Sequence, residues 1–159
     1  GYDQVASTLY AALLMAGISK DSITRSPHKL AVDYIEPGLD AWISGNACDL
    51  KFSNPLRHKI AIFAQIENDK VKIVIGGNEE DKKGDYELKS EVIQKFLPPV
   101  LNVENIGLKP GTEIILNPGK EGILVNVYRN DELIGTDKYE AEKRIIQTGP
   151  DTGHISSDK

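Results

Sequence analysis

The stretch KIAIFAQIENDKVKIVI, residues 59–75, constrains this chain more than any other. Two apolar-rich runs, 59–67 and 70–75, flank Asn68-Asp69. Asn and Asp tolerate the positive φ that a two-residue hairpin turn demands. The stretch therefore predicts an antiparallel hairpin, ended by Gly76-Gly77. A second pair, Asn130-Asp131, stands between 122–128 and 133–139 and predicts the tip of another hairpin.

One helix is predicted ahead of this β structure. Over residues 3–16, Val5, Leu9, Leu13 and Ala16 recur at three to four and give one apolar stripe. Ala11, Ala12, Leu14 and Met15 widen it, so the helix should be buried on most sides. Gly17 is a natural stop. Between helix and first hairpin, 30–35 alternates like a strand, Pro37-Gly38 turns, 40–43 is extended and Gly45-Asn46 breaks it. A short strand is expected at 49–52, closed by Asn54-Pro55. Past the hairpin, the charged run 78–91 reads as a solvated loop. It feeds an edge strand with Tyr86, Leu88 and Val92 facing inward. Pro98-Pro99 marks a hinge. Beyond a turn at 108–111, four short strands are expected at 112–116, 122–128, 133–139 and 144–148, punctuated by Gly119, Gly122 and Gly149.

The expected class is α+β: a buried N-terminal helix on an antiparallel sheet drawn from 29–96, then a small all-β module. The expected division is 1–100, 101–150 and a flexible tail, 151–159. About forty residues of strand cannot build a deep core, so the module should lean on the first part.

Composition narrows the function. The 159 residues are 40% apolar with a net charge of −5 and a pI near 5.2. That field argues against nucleic acid as a partner. The longest apolar run, AALLMAG, is too short to span a bilayer, so no transmembrane segment is expected. The chain starts abruptly inside a patterned segment and is read as truncated at its N-terminus. Part of the helix would then be uncovered, with an apolar patch near Leu9 and Leu13 or a partner over it. One cysteine, Cys48, excludes an internal disulfide and a cysteine-rich zinc site. His28, His58 and His154 lack metal-ligand spacing, and no phosphate-binding or dinucleotide loop is present, so no cofactor is expected.

Several side chains have two readings. Asp3 can cap the helix by accepting the amide of Val5 or Ala6, or it can act in catalysis. His28, fixed by Pro27, is a satisfied polar group or a ligand-contacting or formerly catalytic one. Tyr10 should pack with Ala6 and Leu13 or Leu14, its hydroxyl in reach of His28 or Asp40. Trp42 is half-buried core or a sugar-binding platform, so Tyr10 and Trp42 are candidate ligand contacts. Cys48 reads as a buried inert thiol, His58 as surface, and His154 as part of the tail.

The order of blocks adds a resemblance. Asp3-Gln4-Val5-Ala6-Ser7-Thr8-Leu9-Tyr10, followed by Ala12-Leu13, resembles a signature with a Gly-rich lead, then Cys-Gln-Val-Ser-Thr, Thr-Leu-Tyr and an Ala-rich helix. Arg25-Ser26-Pro27-His28, Tyr34-Ile35-Glu36-Pro37-Gly38-Leu39-Asp40-Ala41 and Asp49-Leu50-Lys51-Phe52-Ser53-Asn54 are similar to the blocks that follow it. The family is the VanW-like family, and the blocks cover 1 to about 77. The second half, through Lys109-Pro110-Gly111, Gly119-Lys120-Glu121-Gly122, 125–129, 137–139 and 145–149, more weakly resembles the extracellular domain named for its five glycines.

The resemblance implies a cell-surface protein of a Gram-positive bacterium, extracellular or membrane-anchored. Its partner would be cell-wall glycan or peptide, or the upstream part of its own protein. The family's Cys stands at a helix N-terminus, where amides and dipole favour a thiolate. Here that position holds Asp3, and the aligned trio is Asp3, His28 and Asp40. Thiolate chemistry is lost with the thiol. The first expectation is therefore a non-catalytic envelope module. The alternative is a wall-peptide hydrolase or transferase built on Asp3, His28 and Asp40, which requires all three within hydrogen-bond reach in an open groove.

Overall fold

Both Asn-Asp pairs turn the chain as their chemistry dictates. Asn68 and Asp69 have φ of 51° and 59°, and Asn130 and Asp131 have 48° and 66°. The computed structural model describes residues 1–152. Among them it contains one α-helix, α1 (Tyr2–Met15), and ten strands in chain order. These are β1 (Ile23–Arg25), β2 (Leu50–Phe52), β3 (Ala61–Glu67), β4 (Lys70–Gly76), β5 (Leu88–Phe96), β6 (Val100–Glu104), β7 (Glu113–Asn117), β8 (Gly122–Arg129), β9 (Glu132–Tyr139) and β10 (Arg144–Thr148). They form four small sheets, β1–β2, β3–β4, β5–β8–β9 and β6–β10–β7. Only β6 and β10 pair in parallel. The class is α+β, a helix on sheets followed by a β-rich module. The expected tail, 151–159, and His154 fall outside the described residues from 153 onward.

The helix buries a face one position away from the expected one. Ala6, Ser7, Tyr10, Leu13 and Leu14 are buried, whereas Val5 is exposed. The stripe runs through Tyr10 because that ring packs beneath the Arg25 guanidinium, 4.8 Å away. The patch expected near Leu9 and Leu13 is absent. Leu13 is fully buried within this chain, and Leu9 packs against the same core. Gly17, at φ 85°, turns the chain out of the helix. Any Cβ there would meet the Tyr86 ring at 2.7 Å. Arg129 then donates to the carbonyls of Leu14 and Ile18, at 3.3 and 2.8 Å. It thereby ties the C-terminal end of α1 and the residue after Gly17 to β8.

The core crosses the expected boundary. Ala6, Tyr10, Leu13, Leu14, Ile18, Ile23, Leu39 and Ala41 form one cluster with Val127 of β8. β5, expected among the first 100 residues, pairs with β8 along its length. The helix and the β8–β9 hairpin therefore share one core, and a cut at 100 would divide the β5–β8–β9 sheet.

Two expectations fail locally. Residues 30–35 form no strand, and Leu30 and Tyr34 are exposed. No ladder partner reaches this segment; Lys120 Nζ donates to the Ala31 carbonyl at 3.0 Å, and Tyr34 meets the His28 ring. β6 was not foreseen at all. Its backbone groups are satisfied by β10, 44 residues on, from Arg144↔Val100 to Thr148↔Glu104, and nothing local announces such a partner.

Candidate functional site

The first turn of α1 carries Asp3. It does not cap Val5 or Ala6. Instead Oδ1 accepts the Ile43 amide at 2.8 Å, and Oδ2 lies 3.3 Å from His28 Nε2. The reason is the extended segment 40–43, which runs beside the helix. The Ala41 amide donates to Ser7 Oγ at 2.8 Å, and the Ser7 hydroxyl returns a bond to the Ala41 carbonyl at 3.3 Å. The Trp42 amide donates to the Ser26 carbonyl at 2.7 Å. The N-terminal side of α1 is thus occupied by a neighbouring chain segment.

Asp40 is the buried end of the cluster, with no solvent exposure. Its Oδ2 accepts both the backbone amide and, through Nδ1, the ring of His28, each at 2.7 Å. Its Oδ1 accepts the Tyr139 hydroxyl. That hydroxyl in turn accepts the Gly38 amide at 2.7 Å. The result is an unbroken line, Asp3–His28–Asp40–Tyr139, from the helix to β9. Both imidazole nitrogens face carboxylates, and only the imidazolium can donate to both at once. Burial, and then the Asp40 carboxylate, push the Tyr139 phenol well above its ordinary range. Tyr139 is therefore a proton donor at any physiological pH.

Arg25 supplies the remaining positive charge. Its side chain is 5% exposed and contacts Asp137 directly. It donates to the carbonyls of Asp40 and Gly38, each at 3.0 Å. Burial works against its charge, but Tyr10 and Asp137 outweigh that and hold the guanidinium firmly protonated. Gly38 is obligatory here: φ is 91°, and a Cβ would lie 2.3 Å from Val127 Cγ2. This is where the Pro37-Gly38 turn touches β8.

Two aromatics flank the imidazole. Trp42 stacks at 6.2 Å with a 30° tilt, and Tyr34 meets the ring edge-on at 6.4 Å. Burial raises the Tyr34 phenol, and Asp3, Asp40 and Asp33 add to the shift. Tyr10 lies apart, under Arg25 rather than beside His28. The side chains of Asp3 and His28 retain 36% and 17% exposure, so solvent reaches one end of the line. Chemically, the cluster can anchor a helix. It can also exchange a proton between His28 and a group arriving at Asp3.

Asp3, His28 and Asp40 are therefore brought together, with Trp42 against them. Ser7, Arg25 and Tyr139 complete the network. Ser7 and Arg25 stood inside the blocks that resemble the family, with no role of their own. Tyr139 had no local signal. Cys48 is half-buried rather than buried, in a tight turn bridged to Ser44. His58 is not free surface: its Nδ1 lies 3.0 Å from Asp81 and its Nε2 3.5 Å from Glu80. Loss of solvent opposes the Asp81 charge, but the His58 amide and ring prevail and hold its carboxyl below the usual range. The charged run 78–91 is thus partly a tether. Among the described residues no group of His, Cys, Asp and Glu could hold a metal ion. No helix among them is long and apolar enough to cross a membrane.

Comparisons with known proteins complete the description. No curated protein matches the chain. Over the C-terminal β module there are G5-domain structural neighbours. "IgA1 Protease G5 domain structure" is 25% identical, covers 43% of this chain and 95% of that one, and has a TM-score of 0.30. "Crystal structure of HP0197-G5" is 20% identical over 42% and 100%, with a TM-score of 0.27. The N-terminal part, which carries α1, His28, Asp40 and the β3–β4 hairpin, matches over residues 1–75 the family described as VanW like protein.

Proposed function

We propose that this chain is a non-catalytic interaction module of the Gram-positive cell envelope, exposed or anchored at the surface, whose partner is wall glycan or peptide. The family match over residues 1–75 supports an envelope role. The single observation that carries the non-catalytic reading is the engagement of Asp3. Both of its oxygens are occupied, one by the Ile43 amide and one by His28. Where the resemblance places a thiol, this chain has an acceptor-only anchor. A carboxylate in that role could not form an acyl-enzyme without passing through an anhydride. The test uses the whole chain, because β5 and β8 share a sheet. Purified walls and soluble muropeptides are the baits, and retention on walls without release of new amino groups is expected. Failure to bind either bait would sink the reading.

The line Asp3–His28–Asp40 favours a second reading, a hydrolase or transferase of wall peptide. In it His28 moves a proton and Asp40 orients the ring. The same assay separates the two. Amino-group release that Asp3→Asn abolishes in a folded protein would establish the enzyme and displace the first reading.

A further inference from the structure

Arg25 also lines a cavity away from the His28 ring. This cavity of about 340 Å³ opens between the helix-side residues Tyr10, Lys20 and Arg25 and the β8–β9 hairpin residues Val127, Ile134 and Thr136. Arg25 enters it with an unmet need. Three of its contacts are accounted for by Asp40, Gly38 and Asp137, but its buried Nε has no acceptor among the described residues. A buried donor without a partner is costly, and native structures rarely tolerate one. Lys20 is the second cation. Its Nζ lies over the same Tyr10 ring, 5.9 Å from the centroid, and no carboxylate among the described residues comes within salt-bridge distance of it. Its stem passes over Gly135, Cε standing 3.7 Å from where a Cβ would be.

We propose that this cavity binds a monocarboxylate carried on a small apolar body, the chemistry of a peptide C-terminus. The carboxylate would lie between Lys20 and the Arg25 guanidinium, with side-chain rearrangement opening Nε to it. The apolar body would rest on Val127 and Ile134. Lys20, the cation without a carboxylate partner among the described residues, sets the valence at one. Asp137 already neutralises part of Arg25, and Asp21 lines the same cavity. A dianion would be repelled there, while an amide N–H beside the carboxylate finds an acceptor. The site stands on this cavity alone and does not depend on the wall-binding reading.

The test is an amide-shift titration of the whole ¹⁵N-labelled chain with N-acetyl-alanine, and with N-acetyl-alanine methylamide as the uncharged control. Saturable shifts at Gly38, Gly135 and Thr136 are expected with the acid and not with the methylamide. Lys20→Met should weaken binding by about tenfold, as expected for loss of one charge-assisted contact, and Lys20→Arg should largely retain it. Equal responses to acid and methylamide, no saturation in the tens of millimolar, or unchanged affinity in Lys20→Met would each overturn the proposal. The acid–methylamide contrast is read on the unaltered protein, so it decides even if a variant folds poorly.

Discussion

The junction of α1, segment 26–43 and β8–β9 differs in kind from the β3–β4 and β6–β10–β7 sheets. At the junction, Ser7 and Asp40 are completely buried, and their side chains bond across segments, Ser7 to Ala41 and Asp40 to Tyr139. In the β3–β4 hairpin, Ile66 is 79% exposed and Phe63 63%. In the other sheet, Ile115 and Leu116 are more than half exposed. Those sheets are held chiefly by backbone pairing and turn chemistry. The junction is held by side chains that each bind two or three specific partners, Asp40 the His28 amide and ring and the Tyr139 hydroxyl, Arg25 the Asp40 and Gly38 carbonyls and Asp137. A buried polar cluster costs desolvation and is stable only when complete. Removing one member there should cost far more than removing an apolar side chain from the thin sheets.

Asp40→Ala is the sharpest break. It strands the Tyr139 hydroxyl, the His28 ring and the His28 amide together, and should cost about 3–5 kcal/mol. Chemical unfolding followed by the fluorescence of Trp42, the only tryptophan, measures it. A cost below 1 kcal/mol would mean that the cluster is not what joins the two parts. Gly38→Ala tests the same junction through the backbone. A Cβ at positive φ, 2.3 Å from Val127 Cγ2, should cost at least about 1–3 kcal/mol, with the loss appearing in the same unfolding curve.

Asp3→Ala should cost less, about 1–2 kcal/mol, because one end of the line is solvated and only the Ile43 amide and His28 lose a partner. Asp3→Asn retains an oxygen for the Ile43 amide and should cost clearly less. Equal losses in the two variants would show that charge, not the tether to Ile43, is what matters at this position.

These predictions also mark what could be read in advance. Both hairpin tips were legible because Asn-Asp carries its own φ preference. β8, β9 and β10 were legible from alternation and glycine punctuation. Asp3, His28 and Asp40 could be grouped only through the order of the family blocks; periodicity alone made Asp3 a cap. Segment 30–35 misled because alternation does not reveal whether a ladder partner exists. β6 and Tyr139 were invisible for a shared reason: each is defined by a partner distant in the chain, β10 for the first and Asp40 for the second. Long-range pairing leaves no local pattern.

The junction should also announce itself in alkali. The Tyr139 phenol is raised in the folded state, by burial first and by the Asp40 carboxylate next. A raised phenol contributes stability fully present below the unfolded value of about 10. That contribution is lost as pH rises through the folded value. Stability should therefore decline above about pH 10. The difference in phenolate absorbance between wild type and Tyr139→Phe should rise only in that range or at unfolding. A component appearing below it would place Tyr139 in contact with water.

The smallest effect belongs to the thin sheets. Ile66 projects from β3 opposite Val71 of β4 in the ladder and is 79% exposed. Truncation removes little buried area, leaves no polar group unpaired and does not touch the turn at Asn68-Asp69. Ile66→Ala should therefore stay within about 0.5 kcal/mol of wild type. β-propensity contributes part of even that loss. Unfolding by denaturant measures it against Asp40→Ala under identical conditions. A cost above about 1 kcal/mol, concentration-dependent across a dilution series, would show that this face is covered in solution by another copy. The hairpin would then be an interface rather than a free surface, and the contrast between the two regions would hold only for the isolated chain.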